Sequence, residues 1–121
     1  MQPDDGLPAL IDFDSLRGSM GQYENLLLRL LALFLEQAPL WKREIDEAFA
    51  SGEPNRVRQI CHKIKGGAGT IHAERIIATA TALGRQIAEH GFTGTEPLRL
   101  RLLAAIEKTA VFVRDSGYLK P

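Results

Sequence analysis

The sequence predicts an all-α fold: an antiparallel up-and-down four-helix bundle with a short additional N-terminal helix. Apolar residues recur at three- and four-residue steps along most of the chain, which is the period of an amphipathic helix. No stretch alternates apolar and polar residues as a half-buried strand does. Turn-formers such as Ser51-Gly52 and Gly91 separate the periodic segments. A length of 121 residues fits one domain.

Residues 1–11 carry Pro3, Gly6 and Pro8 and read as an irregular lead-in. The bundle spans 12–115. Asp12 can cap a short helix through Arg17, closed by Gly18. A long helix follows from about Gln22 to Ala50, with Leu27, Leu30, Leu31, Phe34, Ala38, Trp41, Ile45 and Ala48 on its core face. Leu26, Leu33 and Leu40 form a second stripe, so this helix should touch two neighbours. Pro39 should kink or interrupt it near Gln37–Ala38. Leu28 and Leu35 lie off the main stripe, either under the N-terminal helix or as a docking surface. Pro54 opens a third helix, to about Thr70. A fourth runs from about Ala73 to His90 and stops at Gly91. Thr95-Glu96-Pro97 reads as the cap and first turn of a fifth, on Leu98, Leu102, Ala105, Thr109 and Phe112. Residues 116–121 are a tail.

Composition narrows the function. Fifteen basic and fifteen acidic residues give a net charge of zero, a poor match for a phosphate backbone or an anionic membrane surface. No nucleic acid and no direct membrane insertion are therefore expected. The longest apolar run, Leu30 to Leu35, falls far short of a membrane span of roughly 20 residues. The start of the sequence, with Asp4 and Asp5, has no basic n-region. One cysteine, Cys61, allows no intrachain disulfide and fits a reducing compartment. A cytoplasmic protein is the expectation, with a monomer favoured.

The informative stretch is Arg56 to Ile71. At roughly 100° per residue, Val57, Ile60, Cys61, Ile64, Ala68 and Ile71 fall on one face. His62 points away from that face, toward solvent. Gly66 and Gly69 lie within roughly 40° of it, one and two turns on. The histidine thus heads a stripe without side chains. Each glycine inside a helix costs about 1 kcal/mol against alanine, so Gly66, Gly67 and Gly69 together forfeit about 3 kcal/mol. Gly67 lies nearer the core and suits close helix packing. Gly66 and Gly69 read as steric clearance for something large approaching His62. The other reading is that the helix ends early, although Ile64, Ala68 and Ile71 keep helical spacing through the glycines.

Cations surround this histidine. Arg58 and Lys65 share its side of the helix, Lys63 is adjacent in sequence, and Arg75 stands across the next turn. A solvated charged face would look the same. Neutral imidazole is nucleophilic near pH 7, and cations stabilise an attached phosphate. The set suits a phosphoryl carrier.

His62-Lys63-Ile64-Lys65-Gly66-Gly67-Ala68-Gly69-Thr70-Ile71-His72-Ala73-Glu74-Arg75 resembles the motif of histidine-containing phosphotransfer (HPt) domains, including those that end hybrid sensor histidine kinases. Phe34-Leu35-Glu36-Gln37-Ala38-Pro39 is similar to the family's second helix. The likeness covers about residues 10–115. It implies that His62 accepts a phosphoryl group from a receiver-domain aspartyl phosphate and passes it to another receiver aspartate in a multistep phosphorelay. Lys65, with Lys63 and Arg58, would support the phosphate, and Gly66 and Gly69 would give access. The chain would be a free shuttle or part of a hybrid kinase. There are two departures. His72 stands where many members have glycine. Gly84 stands about where members carry a Gln or Glu that supports the histidine, so that support is missing or comes from Gln86.

No glycine-rich nucleotide loop follows a strand, so no ATP-dependent kinase activity is expected. No acidic cluster near His62 suits a metal. The chain should bind no cofactor, and Mg²⁺ is expected on the partner receiver. Cys61, His62, His72 and His90 match no zinc spacing. No Ser-His-Asp or paired-carboxylate pattern suggests a hydrolase. An interaction-only HPt-like bundle, with His62 unused, is the alternative.

Overall fold

The computed structural model describes residues 6–20 and 23–119, without the side chains of residues 19 and 20. Helix α1 runs Phe13–Met20, α2 Glu24–Ala50, α3 Pro54–Gly69, α4 Glu74–His90 and α5 Glu96–Asp115. α2 packs on α3, α3 on α4, α4 on α5, and α5 closes back on α2. This cyclic order, with short connections, is an up-and-down bundle. α1 lies against α2. The core is built from Leu31 and Ile45 of α2, Val57 and Ile64 of α3, Ile76 and Leu83 of α4, and Leu102 and Ile106 of α5, all fully buried. The buried faces of α2 and α3 are those the periodicity predicts, except that Leu30 is only half-buried.

Several local expectations are corrected. Asp12 does cap α1: its carboxylate accepts the Ser15 backbone N–H at 3.0 Å and the Ser15 hydroxyl at 2.7 Å. The helix does not stop at Gly18 but continues to Met20. The expected α2 start at Gln22 lies outside the described residues, and the helix is in place from Glu24. Pro39 does not interrupt α2, which is continuous through it. Ala38 and Trp41 on either side are buried in the core, and that packing holds the turn. The Thr95 hydroxyl does not cap α5. It donates back to the Phe92 carbonyl at 2.7 Å, inside the preceding turn.

Leu26, Leu33 and Leu40 are not covered by a second neighbour: they are 44%, 48% and 38% exposed. For Leu26 and Leu33 the reason is length. α2 has 27 residues and α3 only 16, so the two span roughly 40 and 24 Å. The C-terminal half of α2 pairs with α3, as Glu44–Lys63 at 3.0 Å and Trp41 against Gly67 show. The N-terminal part of α2 therefore extends past the end of α3. Leu28 and Leu35 are half-buried, and Leu35 packs against the core. On α5 the buried face is Leu102, Ala105, Ile106, Thr109, Ala110 and Val113, with Phe112 at 38% exposure on its edge. Phe112 instead meets the Phe13 ring at 5.6 Å.

Neither terminal segment is loose where it is described. The lead-in has no helix, but Pro8 and Ala9 offer carbonyls to the Arg75 side chain and backbone N–H at 2.9 and 3.0 Å, and Ile11 is buried. The tail folds back at Gly117. The Tyr118 ring stacks on Phe13 at 5.3 Å, and its hydroxyl accepts a bond from Arg17.

Candidate functional site

His62 stands in the middle of α3, exposed on the side opposite Cys61 and Ile64. Gly66 and Gly69 follow it on the helix surface. A Cβ at either would have no heavy atom within 4 Å outside the helix's own backbone, so the space over them is open. Helix α3 runs unbroken through all three glycines to Gly69, which removes the reading of an early helix end. Gly67 has a different task. A Cβ there would sit 2.5 Å from Cζ2 of Trp41 and 2.9 Å from its Cη2. The Cζ2–Cη2 edge of the indole comes up against α3 at this point, and only glycine permits that approach.

Between α3 and α4 runs a groove of about 740 Å³, and His62 lines it with Arg58 and Lys65. Its α4 wall is Ala80, Gly84 and Ala88, one small residue per turn, with Thr81 and Arg85 beside them. No aspartate or glutamate lines the groove. Arg58, Lys65 and Arg85 make no hydrogen bond or ion pair among the described residues. Cations held near one another with no carboxylate between them favour an anion.

Lys63 does not join them. Its ammonium turns toward α2 and bonds both carboxylate oxygens of Glu44, at 3.1 and 3.0 Å. The offset of roughly 100° from His62 to the next residue puts it on the other flank of the helix. Arg75 is not near His62 either; it is buried at the α3–α4 turn, holding the lead-in. Gln86 is spent elsewhere, donating to the Thr93 carbonyl at 2.8 Å. Gly84 faces Cys61, whose Cβ lies 3.7 Å from the position a Cβ would take. The imidazole of His62 thus has no carboxamide or carboxylate support among the described residues. Arg85 was missed in the sequence. The spacing of Ala80, Gly84 and Ala88 marks the α4 face that meets α3, and the residue after Gly84 sits on its rim.

Cys61 lies beneath the groove, buried. Burial pushes its thiol up to about 11, against a smaller opposing effect of the Lys65 charge. It remains a neutral thiol at physiological pH and is no nucleophile. His72 closes the α3–α4 turn with φ of 51°, the left-handed region. That geometry favours glycine. Among the described residues, no group of three or more His, Cys, Asp or Glu side chains is arranged to hold a metal ion. Nor is any described helix long and apolar enough to cross a membrane.

A sequence model of the family described as Hpt domain matches residues 29–110, which include α3, α4 and every residue of the groove. The chain belongs to the Hpt domain family. The fold of this Hpt domain is similar to the crystal structure of histidine-containing phosphotransfer protein B (HptB) from Pseudomonas aeruginosa PAO1. The TM-score is 0.81 over 93% of this chain and 97% of that one, at 15% sequence identity. No curated protein matches the chain in sequence. Family membership assigns the domain a histidine phosphotransfer role in a phosphorelay.

Proposed function

We propose that His62 is the residue that carries the phosphoryl group, between the aspartates of two receiver domains. The observation that supports this most is the position of His62: exposed in mid-helix, above an open glycine stripe, beside a groove with cations and no carboxylate. An imidazole nitrogen attacks the phosphorus of an aspartyl phosphate. The N–P bond forms as the P–O bond breaks, and the carboxylate leaves with the electron pair. The reverse step delivers the group to the next aspartate. Lys65 and Arg58 hold the phosphoryl oxygens while it resides on the imidazole. Gly66 and Gly69 let the receiver's surface approach α3. The receiver brings Mg²⁺, which supplies charge neutralisation at the phosphoryl oxygens when bound. In this reading the chain acts in the cytoplasm as a monomer and has no ATP-binding kinase activity of its own.

The test is incubation with a phosphorylated receiver. The parent should acquire acid-labile phosphate, and His62→Gln should fold normally and acquire none. Undiminished label in that variant would refute the assignment. A folded parent that binds receivers but never takes label would be an interaction-only bundle.

A further inference from the structure

We propose that Arg85, on α4, holds the phosphoryl group on His62 from the side opposite α3, in the space that Gly84 leaves open. The inference rests on His62 being the phosphorylated residue. It goes further in placing part of the phosphate site on a second helix.

Besides Arg85, the wall of α4 at the groove is Ala80, Gly84, Ala88 and Thr81, whose hydroxyl is turned back to the Ile77 carbonyl at 2.7 Å. None of these reaches across toward His62. At 84 there is no side chain at all. Space alone does not explain the glycine. A Cβ at 84 would make an ordinary 3.7 Å contact with Cys61, so alanine fits there and packing does not demand glycine. The next residue, Arg85, lines the groove together with His62, Arg58 and Lys65.

The charge pattern supports the same assignment. Some basic side chains on the bundle are engaged, Lys42 with Glu107 at 2.7 Å, Lys63 with Glu44 and Arg99 with Asp46 at 2.8 Å, while Arg29, Arg43 and Arg101 stand unpaired among the described residues but do not line the groove. Arg85 has no such partner among the described residues. Its guanidinium presents paired N–H groups that match two phosphoryl oxygens, a geometry a lysine cannot reproduce. Arg58 and Lys65 approach from α3 and Arg85 from α4, so the phosphoryl group is held across the groove.

The experiment uses phosphoramidate as a small donor, so that no receiver surface contributes. The imidazole nitrogen bonds to phosphorus as the donor's P–N bond breaks, and ammonia leaves with the electron pair. Loading is followed by ³¹P NMR on the parent, Arg85→Ala, Arg85→Lys and Arg101→Ala, the last removing equal charge from α5. Far-UV circular dichroism checks folding. Loading should slow about fivefold in Arg85→Ala and recover in part in Arg85→Lys. Arg101→Ala should match the parent. Equal loading of Arg85→Ala and parent would overturn the inference while leaving His62 as the acceptor. So would an equal loss in Arg101→Ala, which would reveal a general charge effect. A parent that takes no phosphate on His62 would overturn the underlying reading as well.

Discussion

Replacing Gly66 and Gly67 one at a time separates the two tasks the α3 glycines perform. At Gly66 an added Cβ meets nothing within 4 Å. Alanine there gains helix propensity and lowers the entropy of the unfolded chain, about 0.5–1 kcal/mol of added stability. For a domain of this size that raises the melting temperature by roughly 3 °C. At Gly67 the same Cβ would stand 2.5 Å from the Trp41 ring. Trp41 is only 4% exposed and packs edge-on to Phe34 at 5.8 Å, so it has no room to swing aside. Overpacking of this kind costs about 1–3 kcal/mol, more than the roughly 1 kcal/mol of propensity gained. Adjacent Gly→Ala changes should therefore have opposite signs in urea and thermal unfolding. Function should follow the reverse pattern. Gly66→Leu should fold at least as well as the parent yet slow transfer from a phosphorylated receiver on the order of a hundredfold, because the leucine stands in the approach path. Loss of stability in Gly66→Ala would refute the open-surface reading. Parental transfer rates in Gly66→Leu would refute the clearance argument.

Lys63 and Lys65 should separate as cleanly. Lys63→Ala removes an exposed pair with Glu44 and should change transfer less than about twofold, whereas Lys65→Ala should reduce it about tenfold, measured in the same assay. His72→Gly should stabilise the chain by about 0.5–1 kcal/mol in urea, since it relieves a left-handed φ of 51°; a lower midpoint would contradict that. The Asp12 carboxyl is held below its usual range, first by the Ser15 backbone N–H and then by the Ser15 hydroxyl. A depressed folded value means its contribution is present above about pH 4 and lost as pH falls through the lower folded value. Parent should therefore lose stability faster than Asp12→Asn below about pH 4; parallel acid limbs would exclude the linkage.

The sequence by itself determined the helices and the outward direction of His62. Apolar spacing alone puts Val57, Ile60, Cys61, Ile64 and Ala68 inside, and the same rotation forces His62 outward, so both follow from one helical period. The Asp12 cap and the Gly67 packing role were legible for the same reason: each depends on neighbours a turn or so away, or on which face a residue occupies. Errors arose where a residue's fate depends on a distant one. Pro39 sits in an unbroken helix because its neighbours Ala38 and Trp41 are clamped in the core. Leu33 is exposed because α3 ends too soon to cover it. Lys63 is lost to the site because Glu44, on another helix, lies within 3.0 Å. The spacing of Ala80, Gly84 and Ala88 hints at the α4 wall, but only tertiary structure places Arg85 in one groove with His62. Period fixes the direction a side chain takes from its own axis, but only the packing of two helices decides what stands across the gap.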